Sequence, residues 1–523
     1  MKPLKDIYND YFLIGNIYTP NMPNSKIGSF LSEQFNVITA ENIMKPLLIQ
    51  PQKDEFIFSQ SDEMMKFAKE NDLEVIGHTL CWHNQSLNWI DEENTTKEQA
   101  LEILRTHIET MMGRYKGKII AWDVLNEAFS DGCELDTHEW RLHLRDSKWL
   151  RMIGPDYVRY VFEIAHRIDP DAKLYYNDYN LNYSAKAEAT YYMVKELRES
   201  GVPLHGIGMQ GHYHTNTPIE SVENSLNLFS KLEGIEVSIT ELDVTITGSE
   251  KTSVLSDEHG IIQGQVYAQL FQVYKKYHAI IKRITFWGIE DSTSWRSDRF
   301  PTLFNKDLTP KPAFFAVANP EKFLEEYKLK NKREPKMVEA TYGTPVIGKK
   351  IDSLWNQSEK ISINQQITAW EGATGEAQIM WNEAFLFILI DVKVSEVNNS
   401  AVEIYNKDSI EIILNQENNR ELSYKTSDCK IIISCDNDRV VGNALIANEI
   451  QSETLITKDG YCVQAKIPFD KYNQNNVMIG LDFQINDVDR QGARQSIAKW
   501  NGFTDASVIS AEDWGIVKLK NKT

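Results

Sequence analysis

The chain has 523 residues, a formal net charge of −19 and a sequence pI of about 5.2. Apolar residues make up 42 % and charged residues 25 %, which is typical of a globular protein, and the length predicts two domains. The acidic balance argues against nucleic acid and against an anionic membrane as partners, because both bind basic surfaces, and no apolar run approaches the roughly 20 residues that span a bilayer.

The first 320 residues alternate short apolar runs with stretches of helical pattern. The runs are Phe12–Tyr18, Phe35–Glu41, Glu74–Leu80, Ile119–Glu127, Lys173–Asn177, Gly206–Gln210, Glu236–Glu241 and Arg283–Trp287. Thr96 can cap a helix over Lys97–Arg114, and Gly201 follows a helix over Ala185–Ser200. Eight strands that alternate with helices predict an α/β fold, a (β/α)₈ or TIM barrel, over residues 1–325. A doubly wound sheet is the alternative, but it rarely has eight strands.

The alternation of apolar runs with helical stretches ends after Pro320. Residues 326–342 are predicted to be a charged linker, because Glu321–Lys336 is densely charged and Gly343 punctuates its end. From about Ile347 the apolar residues recur with a period of two. The strands predicted there are Phe385–Val394, Asp408–Leu414, Lys430–Cys435, Tyr461–Pro468, Val477–Asn486 and Gly515–Leu519. Short strands separated by turn signals predict an antiparallel β-sandwich over residues 343–523.

Function in a barrel of this kind gathers at the carboxyl ends of the strands, and two glutamates lie there. Glu127 ends the fourth run and Glu241 ends the seventh, on opposite sides of the predicted barrel. Hydrolysis of a glycosidic bond needs two carboxyl groups that face each other across the sugar, one protonated and one ionised. The sequence therefore predicts that Glu127 and Glu241 are the catalytic pair of a glycoside hydrolase.

Other polar and aromatic residues at the strand ends fit the same chemistry. The Asn126 amide can bond a sugar hydroxyl, and three further polar groups can hydrogen-bond the pair, namely Glu41, Asp243 and His212. Flat apolar faces for sugar rings are offered by Trp82, Trp287 and Trp295. A purely structural role for all of these strand ends would be costly, because buried polar groups need partners.

A metal site is the sharpest alternative in the same fold, because His78, His83, His212 and His214 are possible ligands. Barrel metallohydrolases of the amidohydrolase type carry an HxH at the end of the first strand, where this sequence reads Asn16-Ile17-Tyr18. The sequence therefore predicts no metal in the catalytic domain.

The cysteines and the amino terminus bear on the cellular compartment. Five scattered cysteines without a CxxC pair fit a reducing compartment. The first residues, Met1-Lys2-Pro3-Leu4-Lys5-Asp6, lack the apolar stretch of a signal peptide. These features predict a cytoplasmic protein if the chain is complete, and a secreted protein with its leader removed is the alternative.

Seven motifs occur in order at the predicted strand ends: TAENIMK, GHTLCWH, WDVLNEA, YYNDYN, GMQGHYH, ITELDV and FWGIEDSTSW. With them, residues 1–320 resemble glycoside hydrolase family 10, the (β/α)₈ endo-β-1,4-xylanases. The resemblance implies that Glu127 is the general acid/base, that Glu241 is the nucleophile, and that catalysis on xylan or xylo-oligosaccharides needs no cofactor. It further implies a set of substrate-binding residues: Glu41, Asn42, Lys45, His78, Trp82, Asn126, Gln210, His212, Trp287 and Trp295, with Tyr179 near the leaving group.

Residues 343–523 resemble a family 9 carbohydrate-binding module. The resemblance rests on the strand after Trp381-Asn382, on DSIEI at 408–412, on AKIPF at 465–469, on GLDFQIND at 480–487 and on Trp500. Such modules bind the ends of sugar chains between tryptophans and often hold structural calcium. The resemblance therefore implies Trp500 as the stacking residue, with Trp381 structural, and a possible calcium ion. The alternative is a sandwich that only packs on the barrel.

The resulting hypothesis is a two-step hydrolysis with retention of configuration. Glu127 gives its proton to the departing oxygen, Glu241 attacks the anomeric carbon, and Glu127 then activates water. One alternative is a non-catalytic protein that binds xylan or xylo-oligosaccharides in the same groove. Another is an enzyme whose substrates are short imported oligosaccharides rather than the polymer.

Overall fold

The computed structural model describes residues 2–23, 25–131, 137–246, 254–327, 335–367, 372–401, 403–415, 428–442, 447–468, 478–490, 494–502 and 514–520. These residues divide into two compact units, of which the first contains the described residues up to 327 and the second those from 335. The predicted linker lies partly outside the described residues, since 328–334 belong to none of these ranges.

The first unit is a closed barrel of parallel strands. The strands are β1 (Leu13–Tyr18), β2 (Val37–Ala40), β3 (Glu74–Trp82), β4 (Ala121–Asn126), β5 (Lys173–Asp178), β6 (Gly206–Met209), β7 (His212–His214), β8 (Glu236–Thr245) and β9 (Ile281–Phe286). Strands β1 to β6 pair in sequence, β1 also pairs with β9, β9 pairs with β8, and β8 pairs with β6 to close the ring. The short β7 continues beside β8. All eight predicted strands are present, and the TIM barrel is confirmed.

Helices lie between and around these strands. They are α1 (Leu4–Ile7), α2 (Lys26–Gln34), α3 (Pro46–Ile49), α4 (Ser59–Glu70), α5 (Lys97–Tyr115), α6 (Lys148–Ile153), α7 (Tyr157–Ile168), α8 (Ser184–Glu199), α9 (Ile219–Phe229), α10 (Asp257–Lys276), α11 (Pro312–Ala318) and α12 (Pro320–Glu326). Thr96 caps α5 as predicted, in a capping box with Gln99. Gly201 follows α8 with φ +82°, a left-handed conformation that glycine adopts without strain.

The strands are buried on both faces because the helices cover the barrel, which explains their near-continuous apolar sequences. In β4 all six residues are buried, and in β8 nine of ten are. Because the strands are parallel, their carboxyl ends lie at one rim. The polar residues that end β3, β4, β5 and β8 are therefore brought together there.

The second unit consists of β-strands joined into two sheets. The strands are β10 (Met337–Tyr342), β11 (Ile361–Ile363), β12 (Gln365–Gln366), β13 (Thr374–Trp381), β14 (Phe385–Lys393), β15 (Ser409–Asn415), β16 (Asp428–Ser434), β17 (Arg439–Val441), β18 (Gln451–Thr457), β19 (Gly460–Pro468), β20 (Met478–Val488), β21 (Arg494–Lys499) and β22 (Gly515–Leu519). One sheet runs in the order β17-β16-β15-β20-β22, and the other runs β13-β14-β19-β18. Their inward side chains form one apolar core.

Two details of the predicted second domain need correction. Residues 337–342, assigned to the linker, form β10, which pairs with β22 through its first four residues and with β13 through its last two. Both pairings are parallel, so the unit is mixed rather than wholly antiparallel. The unit is mixed because β10 crosses from one sheet to the other. The sequence did not indicate this strand because its alternation of apolar and polar residues is short and is flanked by charged residues.

Candidate active site

Glu127 follows β4 at the rim of the barrel. Its backbone φ is +54°, and its N–H donates to the Asn177 carbonyl at 2.8 Å. The carboxyl accepts from Trp82 Nε1 at 2.8 Å and from Gln210 Nε2 at 2.9 Å. Burial, followed by the charges of Asp178 and Glu241, raises the pKa of Glu127 despite these two hydrogen bonds. The surroundings of Glu127 therefore favour its protonated form.

Glu241 lies in β8 and is 5 % exposed. Its carboxylate accepts from Asn177 Nδ2 at 2.9 Å and contacts His212 Nε2 at 3.2 Å. Burial alone would raise the pKa of Glu241, but the hydrogen bond and the charge of His212, together with His78 and Asn177, lower it below its usual range. Glu241 is therefore the ionised partner of the pair.

His212 is itself held by a second carboxylate. Its Nδ1 lies 3.0 Å from Asp243 Oδ2, and Asp243 also accepts from Arg296 Nη1 at 2.7 Å and Trp295 Nε1 at 3.0 Å. Although burial opposes the charge on His212, the Asp243 carboxylate raises the pKa of His212 to about 9. A protonated imidazole thus donates to both Asp243 and Glu241, which fixes the Glu241 carboxylate in place.

Asn177, the penultimate residue of β5, is a site residue to which the sequence analysis gave no role. Its amide nitrogen donates to Asn126 Oδ1 at 2.8 Å as well as to Glu241, and its oxygen accepts from Thr240 Oγ1 at 2.6 Å. A side chain at Gly208 would place its Cβ 2.3 Å from the Asn177 oxygen, so only glycine fits there. The signal was present in the YYNDYN motif, where Asn177 is a polar residue at the end of an apolar strand.

The residues predicted on the sugar side gather at the same rim. Lys45 Nζ donates to Asn42 Oδ1 at 2.8 Å and lies 5.0 Å from the centre of the Trp82 ring. Burial raises the pKa of Glu41 and lowers that of Lys45, while the charge of each opposes the shift of the other. Lys45 also interacts with the charges of Glu127 and Glu241, so these predicted residues share one charged cluster.

Two tryptophans and two histidines form two further ring contacts at the site. His78 Nδ1 lies 2.9 Å from Asp123 Oδ2, and its ring meets Trp287 at 5.5 Å between centroids. Trp287 is 6 % exposed, whereas Trp295 is 60 % exposed and contacts His212 edge-on at 4.9 Å. Trp295 therefore offers an open apolar face beside the ionised glutamate.

Tyr179 lies on the side of Glu127, where the leaving group was predicted. Its hydroxyl accepts from Arg145 Nη2 at 2.6 Å, and Arg145 also donates to the carbonyl oxygens of Glu127 and Phe129 at 3.3 and 2.9 Å. Arg145 was not singled out from the sequence, because it lies in no strand-end motif. The structure thus brings every predicted residue of the barrel to one rim.

Within the described ranges, no group of three or more His, Cys, Asp or Glu side chains is arranged to hold a metal ion. The rings of His78 and His212 are instead engaged by Asp123 and Asp243. The described part of the second unit likewise offers no carboxylate cage for the calcium ion that the resemblance implies.

The prediction that Trp500 stacks on a sugar is wrong. Trp500 follows β21, is 3 % exposed, and belongs to the apolar core of the second unit. Its ring lies 6.0 Å from that of Phe483 and covers Gly515, where a Cβ would lie 2.5 Å from the indole. A buried indole has no face for a sugar. Trp381, predicted to be structural, is 2 % exposed and donates to the Lys520 carbonyl.

Trp500→Ala is expected to destabilise the second unit by about 3–5 kcal/mol, because the substitution leaves a cavity in its core. Differential scanning calorimetry of the full chain measures the loss. Ile456→Ala is the matched control, since Ile456 is in the same unit but 64 % exposed. If Trp500→Ala instead weakened sugar binding without lowering the melting temperature, the core assignment would be wrong.

A barrel rim with two glutamates, one in surroundings that favour the protonated form and one in surroundings that favour the ionised form, has the arrangement of a glycoside hydrolase. Comparison with known proteins gives the family. The model of glycosyl hydrolase family 10 matches residues 3–320, more than half of the chain, and a model described as carbohydrate family 9 binding domain-like matches residues 347–522. The chain belongs to glycosyl hydrolase family 10, and both resemblances seen in the sequence are confirmed.

Two relatives match nearly the whole chain. The exoglucanase XynX of Acetivibrio thermocellus and the endo-1,4-beta-xylanase A of Thermoanaerobacterium saccharolyticum are each 33 % identical over 533 residues, or 99 % of this chain. The matches cover 46 % and 43 % of these relatives, so the chain spans less than half of their length.

Solved structures match the barrel. A mutant of TsXylA, an intracellular xylanase from Thermoanaerobacterium saccharolyticum crystallised in complex with xylotriose, is 36 % identical with a TM-score of 0.56. That match covers 61 % of this chain and 98 % of the solved chain. In the described ranges, no helix has the length and apolar character to cross a membrane.

Proposed function

We propose that the chain is an endo-1,4-β-xylanase that hydrolyses internal β-1,4 bonds of xylan or xylo-oligosaccharides with retention of configuration. One observation carries the proposal: the surroundings of Glu127 favour its protonated form, and those of Glu241 favour its ionised form. Xylan and xylo-oligosaccharides are proposed as substrates because similar proteins are named xylanases. We further propose residues 1–325 as the catalytic domain and the residues from β10 onward as the carbohydrate-binding domain.

The proposed mechanism has two steps. Glu127 donates its proton to the glycosidic oxygen while Glu241 attacks the anomeric carbon, so the bond to the leaving sugar breaks and a glycosyl ester forms. Water then attacks the ester, Glu127 takes its proton, and Glu241 leaves as the carboxylate. The two carboxyl groups carry both steps without a cofactor. Trp82 and Gln210 donate to Glu127 and hold its carboxyl group in place, while burial and the charge of Asp178 favour its protonated form. His212 and Asn177 donate to Glu241 and favour its ionised form.

The proposed substrate contacts follow from the positions of the side chains. Glu41, Asn42, Lys45 and Trp82 form the rim next to both glutamates, and Trp295 offers an open ring face beside His212. The Asn126 oxygen is occupied by Asn177, so its amide N–H₂ is the group that can meet a sugar hydroxyl. Tyr179 and Arg145 lie on the acid/base side, where the departing sugar would lie.

Reducing-sugar release from soluble xylan, with proton NMR of the first product, tests the proposal. The β-anomer of a xylo-oligosaccharide should appear before mutarotation. Initial α-anomer would contradict the retaining step, and binding without any release would favour the non-catalytic alternative. Cello-oligosaccharides belong in the same assay, because one relative is named an exoglucanase.

The pH–rate profile is expected to be bell-shaped. The folded-state pKa of Glu127 lies above its ordinary value, so activity is lost as the pH rises through that pKa and the acid loses its proton. The pKa of Glu241 lies below its ordinary value, so activity is lost only when the pH falls through that lower pKa. Initial rates on xylohexaose from about pH 3 to 10 check this, and a profile with a single limb would contradict the paired roles.

For the second domain we propose binding of xylan or xylo-oligosaccharides, because a model described as carbohydrate family 9 binding domain-like matches residues 347–522. The buried polar side chains of β15 and β20 do not supply the site, since Glu411, Gln484 and Asn486 are as inaccessible as Trp500, at 1–3 % exposure.

We also propose that the protein acts in a reducing compartment on oligosaccharides as well as polymer. The four described cysteines, Cys81, Cys429, Cys435 and Cys462, are free and buried, and one similar protein is described as an intracellular xylanase. Comparing the rates on xylotriose, xylohexaose and soluble xylan ranks the substrates, and cell fractionation of the native host tests the compartment.

A further inference from the structure

A buried ion pair lies on the acid/base side of the site. Lys186, in the first turn of α8, donates from Nζ to Asp178 Oδ1 at 2.8 Å, and the two side chains are 4 % and 0 % exposed. Asp178 ends β5 and also accepts from the Tyr176 hydroxyl and from the Tyr179 N–H at 2.8 Å. Burial of two charges costs free energy that their attraction often fails to offset, so the pair calls for an explanation other than stability.

Two connections tie Asp178 to Glu127. The Gln210 N–H donates to the Asp178 carbonyl at 3.0 Å, and the Gln210 side chain donates to Glu127 Oε1 at 2.9 Å. The Glu127 N–H donates to the carbonyl of Asn177, the residue before Asp178, at 2.8 Å. The strand end that carries Asp178 therefore holds both the backbone and the carboxyl group of Glu127.

The same pair acts on Tyr179. The Lys186 ammonium lies 3.8 Å from the centre of the Tyr179 ring, and Arg145 donates to the Tyr179 hydroxyl at 2.6 Å. The ring is thus held on its face by the buried Lys186 and at its hydroxyl by the half-buried Arg145. Lys186 contacts both Asp178 and Tyr179, although it lies in a helix and outside the strand-end motifs.

Charge adds to this geometry. After burial, the negative charge of Asp178 is the next largest cause that raises the pKa of Glu127. Burial raises the pKa of Asp178 itself, and the charge and hydrogen bond of Lys186 oppose that rise. Without Lys186, a fully buried Asp178 would favour its neutral form.

We infer that Lys186 and Asp178 form a positioning unit for the acid/base: Lys186 keeps Asp178 ionised, and the Asp178 carboxylate keeps the proton on Glu127. The inference rests on the proposed role of Glu127 as the acid. Neither residue touches the reacting atoms, and both act through Glu127, Gln210 and Tyr179.

Other charged or titratable groups also face these residues. Those that interact with Glu127 or Asp178 are Lys45, His83, Arg145, Tyr157, Tyr176, Tyr179, Lys186 and Glu241. Arg145 is held by the Tyr179 hydroxyl and two carbonyl oxygens, and Glu241 is paired with His212. Lys186 also lies 3.7 Å from the Asp131 carboxylate and 3.8 Å from the centre of the Tyr179 ring, so Lys186→Met alters these two contacts as well. Asp178→Asn leaves both of them in place, so a shift common to the two variants can be assigned to the Lys186–Asp178 pair.

Asp178→Asn and Lys186→Met are both expected to move the basic limb of the pH–rate profile on xylohexaose down by about one pH unit. The first variant removes the Asp178 charge directly, and the second lets Asp178 take up a proton. Lys186→Arg keeps the cation and should keep the limb within about 0.3 unit of the parent. The double variant should shift the limb no further than the larger single shift, because both changes remove one interaction.

Lys311→Met is the matched control. Lys311 is equally buried and bonds to the Asp291 carboxylate at 2.9 Å, so its loss should lower the melting temperature as Lys186→Met does. The Lys311 variant should leave the basic limb in place. A purely structural role for Lys186 predicts this same result, lower stability with an unmoved limb.

Carbon-13 NMR of the Glu127 carboxyl in glutamate-labelled protein reads the same titration without turnover. A Glu127 pKa unchanged in folded Asp178→Asn, or additive shifts in the double variant, would overturn the inference. If Asp178→Asn does not fold, the Glu127 pKa is compared between Lys186→Met and Lys186→Arg. Equal values in these two variants would also overturn the inference. Failure of the parent chain to release sugar from xylohexaose would instead count against the proposed function, while the NMR titration would still test the ion pair.

Discussion

Glu241→Gln is expected to abolish hydrolysis of every substrate, with kcat reduced by at least about 10⁴-fold, the scale on which loss of a nucleophile acts. The amide is nearly the same shape as the carboxylate, so Asn177 keeps an acceptor in place. It cannot form the glycosyl ester, because an amide is a poor nucleophile at the anomeric carbon. The loss should be the same for polymer, oligosaccharide and activated aryl glycoside, since all of them need this attack.

The control for Glu241→Gln is Glu236→Gln, a change in the same strand at the opposite end of the barrel, where Glu236 accepts from the Tyr175 hydroxyl at 2.8 Å. That variant should hydrolyse xylan normally. A second test of the nucleophile uses the variant Glu241→Ala with dinitrophenyl β-xylobioside as substrate and azide as an added nucleophile. Azide can enter the space of the missing carboxylate, and the product should be the α-glycosyl azide. If Glu241→Gln retained more than about one per cent of the parent activity, Glu241 would not be the nucleophile.

The barrel and its rim were predictable because a parallel strand covered on both faces leaves a direct trace in sequence. Its residues are mostly apolar, and the predicted runs end at Glu127, directly after β4, and at Glu241, which lies within β8. What the sequence does not contain is the difference between the two carboxyl groups. It arises from burial and from groups that the fold brings together: the charge of Asp178 favours the protonated form of Glu127, and His212 favours the ionised form of Glu241.

Asn177 and Lys186 are two further residues whose contacts could not be predicted from the sequence. Asn177 was visible in its motif, but its role depends on donating to Asn126 and Glu241 from two other strands. Lys186 lies in a helix, where a lysine ordinarily indicates a solvated face, yet it is buried against Asp178. Local pattern gives the type and position of a residue, whereas its burial and its partners are set by the folded chain, even where the partner is only eight residues away, as Asp178 is from Lys186.

The second domain was harder to predict because its strands are short and pair far along the chain. β10 pairs with β22 and β13, and nothing in the residues 337–342 reveals either partner. Trp500 was assigned to a sugar because tryptophan occurs in both cores and binding sites. Its burial depends on Phe483 and Gly515, which pack on it from β20 and β22.

Glu127→Ala is expected to separate substrates by their leaving groups. On xylohexaose the rate should fall by about 10²–10⁴-fold, the range of general acid catalysis, because the departing sugar alkoxide needs the proton that Glu127 holds. On dinitrophenyl β-xylobioside, kcat/KM should stay within about tenfold of the parent, since that leaving group departs without protonation. The second step still lacks its base, so the glycosyl-enzyme should accumulate and a burst of dinitrophenol should precede a slow steady state.

Azide distinguishes this variant from the nucleophile variant through stereochemistry. In Glu127→Ala the glycosyl ester on Glu241 still forms, and azide then attacks it from the face that Glu127 has vacated. Two inversions give the β-glycosyl azide, whereas Glu241→Ala gives the α-product after one. Azide should therefore also accelerate the steady state of Glu127→Ala, because it needs no base. Equal losses on both substrates, with no burst and no β-azide, would mean that Glu127 does not protonate the leaving group. The raised pKa of Glu127 would then have to reflect its burial beside Asp178 rather than a catalytic proton.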